Sequence, residues 1–212
     1  MVAGDHPSLR LVDEDSSKRR QILDGARKVF MDLGFDGASM GEIARAAGVS
    51  KGTLYVYFAD KNRLFEAIVE QEILEQGQVT FNLDPARDVP TTLMDFGQAY
   101  INLLCRPGGG SATRTVMAIA ERMPEVGRRY YQHVLEKTIG NLAAYLEAQV
   151  TSGDLAIDDC QLAASQFMMM CQASLFLPFI FQAAPPPSAQ RIAEVVESAT
   201  AMFLAAYRAK AG

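Results

Sequence analysis

Residues Met40 to Ala59 read MGEIARAAGVSKGTLYVYFA, and this stretch decides how the N-terminal part of the chain folds. Ser39 followed by Glu42 forms a capping box, which predicts a helix starting at Met40. Ile43, Ala44 and Ala47 share one face of that helix. Gly48 falls where the chain must turn sharply, and glycine enters the left-handed region without a Cβ clash. Ser50 is placed to cap a second helix, with Leu54 and Phe58 facing inward and Lys51, Thr53, Tyr55 and Tyr57 on its other sides. Ala44 is small, as a close crossing of two helices requires. Two short helices at this spacing predict a helix-turn-helix, a motif that lays its second helix in the major groove of DNA.

The flanks extend the pattern. Ile22, Leu23, Ala26, Val29, Phe30 and Leu33 recur at helical spacing, predicting a first helix from about Ser17 to Leu33. Gly34 stops it, and Phe35 is expected to tuck back as an apolar plug. Asp60 can cap a fourth helix carrying Leu64, Phe65, Ile68 and Val69 and fading near Gly77. The stretch Leu83–Pro90 reads as a loop, and helices are expected over Thr91–Cys105 and Ala112–Met123, separated by a PGGG turn at Pro107–Gly110. A long helix over Pro124–Val150 follows, with Pro124 allowed in its first turn. The last two, an eighth after Asp158 to about Gln182 with a kink or stop near Pro178, and a ninth from Ser188 to about Lys210, complete an all-α chain of about nine helices. No strand-like alternation of useful length occurs. Residues 1–16 are expected to be a disordered tail, 17–62 a helix-turn-helix head and 63–212 a helical body.

The run AGVSKGTLYVYFADKNRLF, with Ile22, Leu23, Ala26, Phe30, Gly34, Phe35, Ser39, Ile43 and Ala44 before it, closely resembles the TetR-type repressor family. The resemblance covers Lys18–Phe65. Beyond it the likeness is one of architecture, an all-helical ligand-binding and dimerisation domain, and Arg114–Leu177 looks like the AefR-like subgroup of such domains. Tyr57 departs from the histidine that many members carry there. The resemblance implies a ligand-responsive repressor that binds a palindromic operator on double-stranded DNA as a homodimer.

Charge supports a DNA-facing end. The chain carries net −5, but residues 16–65 hold nine Lys/Arg against five Asp/Glu, net +4, while 1–15 carry −3 and 66–212 carry −6. A basic head on an acidic body is the asymmetry expected where one end meets phosphate. At 212 residues, 49% hydrophobic and 21% charged, the composition is that of a soluble globular protein. Cys105, Cys160 and Cys171 form no close pair, which fits a reduced cytosolic compartment, and no signal peptide is expected, because the first seventeen residues are polar and acidic. Residues 160–190 hold no charge and include FMMMCQASLFLPFIF. A membrane span is the rival reading there, opposed by interspersed Gln and Ser, Pro178 and a PPP break; a helix buried in a core and subunit interface is expected instead.

Enzyme chemistry finds no support: His6 and His133 are isolated, no metal-ligand spacing appears, and PGGG lacks the strand and lysine of a phosphate loop. No cofactor or metal is expected. A redox role for the cysteines is a second rival within the regulatory class.

In the head, Lys51, Gly52, Thr53 and Tyr55 are the candidate base-edge contacts. Packing of Tyr55 against the core is the alternative for that residue. Ser39, Tyr57 and Lys61 are placed for backbone phosphates, as the family resemblance implies, and Arg45 is the remaining exposed base on the first motif helix. Lys18, Arg19 and Arg20 either follow the backbone or enter the minor groove, with a solvated helix start as the alternative, whereas Arg27 and Lys28 read as a wet face. In the body, Phe96, Tyr100, Met117, Phe167 and Met170 are the candidate lining of a pocket for a small hydrophobic or aromatic effector, with ordinary core as the alternative. The last two predicted helices, the eighth and ninth, are apolar enough to pair with those of a second copy. The helix after Asp60 joins both parts and would carry a ligand-driven tilt to the head.

Overall fold

In a computed structural model, the structure describes residues 7–77, 81–106 and 109–209. Those residues are helical or connecting. Their only β feature is an isolated bridge between Leu155 and Arg208. Helix α1 spans Pro7–Gly37, α2 Met40–Ala46, α3 Lys51–Tyr57 and α4 Lys61–Gly77. The body adds α5 Val89–Leu104, α6 Gly109–Ile119 and α7 Pro124–Tyr130. A π-helical turn over Tyr131–Glu136 leads into α8 Lys137–Thr151, followed by α9 Cys160–Gln172, α10 Phe176–Ile180 and α11 Ala189–Tyr207.

The first helix already runs at Pro7, upstream of the expected Ser17, with proline tolerated at the first helical position. Residues 1–6 of the expected tail lie outside the described residues. Gly34 breaks α1 as expected, with φ +70°, and the chain past it folds back. Phe35 is buried there. Its ring stacks on Phe30 at 5.5 Å and meets Phe65 edge-on at 5.5 Å.

The predicted eighth helix is broken earlier than Pro178. α9 ends at Gln172, Ser174 takes φ +58°, and Pro178 sits inside the first turn of α10. The reason is steric: a proline ring clashes with the carbonyl four residues back, so the stop falls one turn upstream, at Ser174. Part of the PGGG turn, Pro107 and Gly108, lies outside the described residues. No helix of the described residues is long and apolar enough to cross a membrane.

Two apolar cores organise the molecule. One joins α5, α8, α9, α10 and α11 around Leu93, Phe96, Leu142, Leu146, Phe167 and Phe203. The other begins in α1–α3, with Ile22, Leu23, Ile43 and Leu54, then continues through Leu64, Phe65 and Ile68 of α4 to Val116, Ile119, Val126 and Tyr130 of α6 and α7. Packing of the head therefore runs past residue 62 without interruption. Ion pairs reinforce the same seam. Glu72 of α4, 2% exposed, accepts from Arg106 at 2.6 Å and lies 3.6 Å from Arg27 of α1. Arg129 holds Glu70 at 3.0 Å, and Arg122 pairs with Asp36. Arg27 is thus half-buried and paired rather than on a wet face.

Candidate nucleic-acid interface

The recognition unit is held by local caps and by contacts back to α1. Ser39 Oγ accepts from the Glu42 N–H at 3.2 Å, and the Glu42 carboxylate accepts from the Ser39 N–H at 2.9 Å, completing the capping box. The carboxylate accepts from the Ser39 hydroxyl as well as from its N–H, and these two bonds, the hydroxyl's first, favour the ionised form and hold the Glu42 pKa below the usual range. Gly48 adopts φ +64°, and the Val49 N–H donates to Ala44 O at 3.0 Å to close the turn. Ser50 Oγ then accepts from the Thr53 N–H at 3.0 Å, starting α3.

The close crossing rests on Gly25. A Cβ there would lie 2.6 Å from both Cα and N of Ala47, so α1 and α2 touch backbone to backbone. The Gln21 amide nitrogen donates to Ala47 O at 2.7 Å beside it. Sequence reasoning placed a small residue, Ala44, at the crossing of the two motif helices and passed over Gly25 and Gln21, which hold α1 against the end of α2. The signal available was a lone glycine inside a strongly periodic helix, which often marks close packing.

The expected contact residues fall into two groups. Arg45, Lys51, Gly52 and Tyr55 are exposed, Tyr55 at 53%, which removes the core-packing alternative for its side chain. Thr53 is half-buried, with Oγ1 2.8 Å from Ser50 Oγ. Gly41 lets Lys51 lie across the start of α2: a Cβ at Gly41 would come within 2.9 Å of Lys51 Cε. Val56, which the sequence reading left out, stands 83% exposed on the same helix.

Ser39, Tyr57 and Lys61 instead have partners inside the protein. The Ser39 hydroxyl also donates to Glu42 Oε2 at 2.7 Å. The Tyr57 hydroxyl donates to Asp15 Oδ1 at 2.7 Å, a bond that holds its proton and raises its pKa. Lys61 Nζ donates to Phe35 O at 2.5 Å and Ala38 O at 3.0 Å, with its charge 4.5 Å from the Phe35 ring centroid. It ties α4 to the broken end of α1. Arg19 lies over the Phe58 ring at 5.4 Å.

In the body, Phe96, Tyr100 and Phe167 are brought together in one core. Phe96 stands 6.1 Å from Tyr100 and 6.3 Å from Phe167, ring to ring, and Met170 packs against the same cluster. Gln172 donates to the Tyr100 hydroxyl at 2.6 Å, while burial pushes the Tyr100 pKa up. Met117 stands apart, 62% exposed on α6. Burial pushes the Cys171 thiol up to about 12 and the Cys105 thiol up to about 11, and raises Cys160 as well. At neutral pH all three are thiols, the unreactive form. Among the described residues no group of His, Cys, Asp and Glu side chains is placed to hold a metal ion.

A capped helix-turn-helix whose second helix presents Lys51 and Tyr55 to solvent, mounted on a helical body, defines a DNA-binding regulator of transcription. Residues 22–68 match the family described as bacterial regulatory proteins, tetR family, and residues 91–209 match the AefR-like transcriptional repressor, C-terminal domain. The chain belongs to the TetR family and carries the AefR-like form of its C-terminal domain. It is similar to the HTH-type transcriptional repressor Rv1474c of Mycobacterium tuberculosis, 41% identical over 63 residues. That match takes in 29% of this chain and 34% of the relative, about a third of each. A TetR-family regulator from Mesorhizobium loti MAFF303099 superposes with a TM-score of 0.77 at 29% identity, covering 91% of this chain and 98% of that one. The Flavonoid-responsive Regulator FrrA superposes at 0.73 with 28% identity, covering 92% and 100%. These relatives are transcriptional regulators, not enzymes.

Proposed function

We propose that the protein is a ligand-responsive repressor that grips a palindromic operator as a homodimer and is released by a small hydrophobic or aromatic effector. The observation that carries the DNA reading is α3 itself: Lys51, Gly52 and Tyr55 stand in solvent on a helix fixed by the Ser50 cap. Lys51, Gly52, Thr53 and Tyr55 read base edges, joined by Val56, whose apolar tip suits a thymine methyl. Arg45 meets phosphate. Ser39, Tyr57 and Lys61 contact the phosphate backbone with whatever hydrogen-bonding capacity their internal partners leave, so their first role is to hold the head in shape. Phosphate contacts set register and affinity, while base contacts set specificity.

Dimerisation is supported by apolar side chains left in solvent. Leu162 and Met169 on α9 are 54% and 52% exposed, and Met202 on α11 is 52% exposed. Leu162 and Met169 lie seven positions apart, on one face of their helix. Two such helices from each copy make an intersubunit four-helix bundle. Half-sites one helical turn apart, about 34–36 Å, then match the two heads. An aromatic effector among Phe96, Tyr100, Phe167 and Met170 is supported by their clustering and by the flavonoid response in the name of FrrA. α4, α6 and α7 share the head's core, so displacement in the body reaches α1–α3 through them.

The test is a binding-site selection with wild type, Lys51→Ala and Thr53→Ala, alongside light scattering at micromolar concentration. The reading expects a palindromic consensus, altered in each variant, and a dimer. An identical consensus for all three proteins sinks the contact assignment, and a monomer sinks the symmetric operator.

A further inference from the structure

A cleft of about 210 Å³ opens where the head meets the body. Phe30, Met31 and Phe35 form one side, Arg114 and Ala118 of α6 the other, and Gln182 closes one end beyond α10. Its floor is aromatic, since Phe30 and Phe35 stack at 5.5 Å, and Met31 at 48% exposure keeps it reachable from solvent. Arg114 is the anomaly. Its Nε is buried and has no hydrogen-bond acceptor among the described residues. A buried N–H without a partner is costly, so native structures rarely keep one. Other arginines of the same seam, Arg106, Arg122 and Arg129, each hold a carboxylate of the protein. Gln182, at φ +58° in the turn that ends α10, is the remaining polar residue of the lining.

We propose that this cleft binds a small aromatic carboxylate. The ring lies against Phe30 and Phe35, and the carboxylate takes the two parallel N–H donors of the Arg114 guanidinium, with the Gln182 amide as a further donor. A planar guanidinium fork matches a carboxylate in two simultaneous hydrogen bonds. The cavity is smaller than the roughly 300–1,000 Å³ of sites for drug-sized molecules, which limits the ligand to about one ring. This site differs from the body cluster of Phe96 and Phe167 in both place and charge, and it does not depend on the DNA reading. A bound ring spans α1 and α6, so it pins the head to the body at the Gly34 break.

The experiment uses the full chain with isotope-labelled methionine methyl groups, titrated with benzoate, phenylacetate and 4-hydroxybenzoate, and with benzamide as a neutral control. Met31 reports from inside the cleft and Met202, on α11, from far outside it. The expected result is a saturable shift of the Met31 methyl, with a Kd of about 1 mM or tighter for at least one carboxylate. Benzamide binds at least about tenfold more weakly, and Met202 stays still. Arg114→Met lowers carboxylate affinity at least about tenfold. Ala118→Phe, which fills the cleft from the opposite wall and keeps the arginine, abolishes the Met31 shift, and it serves if Arg114→Met does not fold. No Met31 shift with any of the three carboxylates at about 10 mM overturns the proposal. So does an unchanged affinity in Arg114→Met, or an unchanged Met31 shift in Ala118→Phe.

Discussion

The head and the body core solve the same problem, burying apolar surface between helices, by different means. In the head, main chain is what is gripped: Gly25 lies against the Ala47 backbone, and the Gln21 and Lys61 side chains donate to the carbonyls of Ala47, Phe35 and Ala38. In the body core, side-chain tips meet. Even at Gly97, its tightest glycine, an added Cβ would face Val196 Cγ1 at 2.6 Å and Cys171 Sγ at 3.0 Å rather than main chain. Side chains can re-pack and backbone cannot. The head is therefore specified atom by atom, as a part that must present α3 in one geometry requires, whereas the body is specified by volume and pattern.

That contrast can be broken experimentally. Phe167→Ala, at a ring with no solvent exposure, should cost about 3–5 kcal/mol in denaturant unfolding, and Phe167→Leu should recover most of it, because the site reads volume. A leucine variant as unstable as the alanine one would show the body to be as exacting as the head. Gly25→Ala should cost about 2–3 kcal/mol, the upper end for an overpacked site, and weaken operator binding in a mobility-shift titration. Adding Ala47→Gly should not rescue it: that removes the contact with Ala47 Cβ at 2.7 Å but leaves those with Cα and N at 2.6 Å. Rescue would move this crossing into the side-chain class.

Lys61→Met should lower stability by about 1 kcal/mol, because the carbonyls of Phe35, Asp36 and Ala38 lose their donor while none of these bonds is fully buried. It should also weaken all operators alike, measured as a parallel shift of binding curves across sequences. The smallest effect concerns the capping box. Glu42 has its pKa depressed in the folded head, so its contribution is present above the ordinary carboxylate value of about 4.3 and is lost as pH falls through the lowered one. Glu42→Gln should therefore lower the thermal midpoint slightly at neutral pH, leave it nearly unchanged at the acid end, and so flatten the profile between the two.

Much of the head was legible because its signals are local. Ser39 with Glu42, Gly48, Ser50 and Gly34 each act within a few residues of themselves, and each does what its residue type predicts. The contacts that escaped notice are long-range: Gln21 with Ala47 and Lys61 with Phe35 are each 26 residues apart. Periodicity found the aromatic residues of the body, but not which of them point outward. Met117 carries the same side-chain chemistry as the buried Met168, and only the docking of α6 leaves it in solvent. Arg27 escaped for a similar reason. Its partner Glu72 comes from another helix, and a charge pattern along one helix says nothing of what covers it.

The π-helical turn at Tyr131–Glu136 shifts the phase of the helix that runs through it. Val126 and Tyr130 before it feed the core shared with the head, whereas Leu142, Tyr145 and Leu146 after it feed the other one. Each residue of an α-helix advances the facing direction by about 100°, so a wider turn re-aims everything downstream. One rod thereby serves two clients that lie in different directions. Excising a single residue there would leave both halves helical and swing one stripe away from its partner, uncoupling the two compartments without unfolding either.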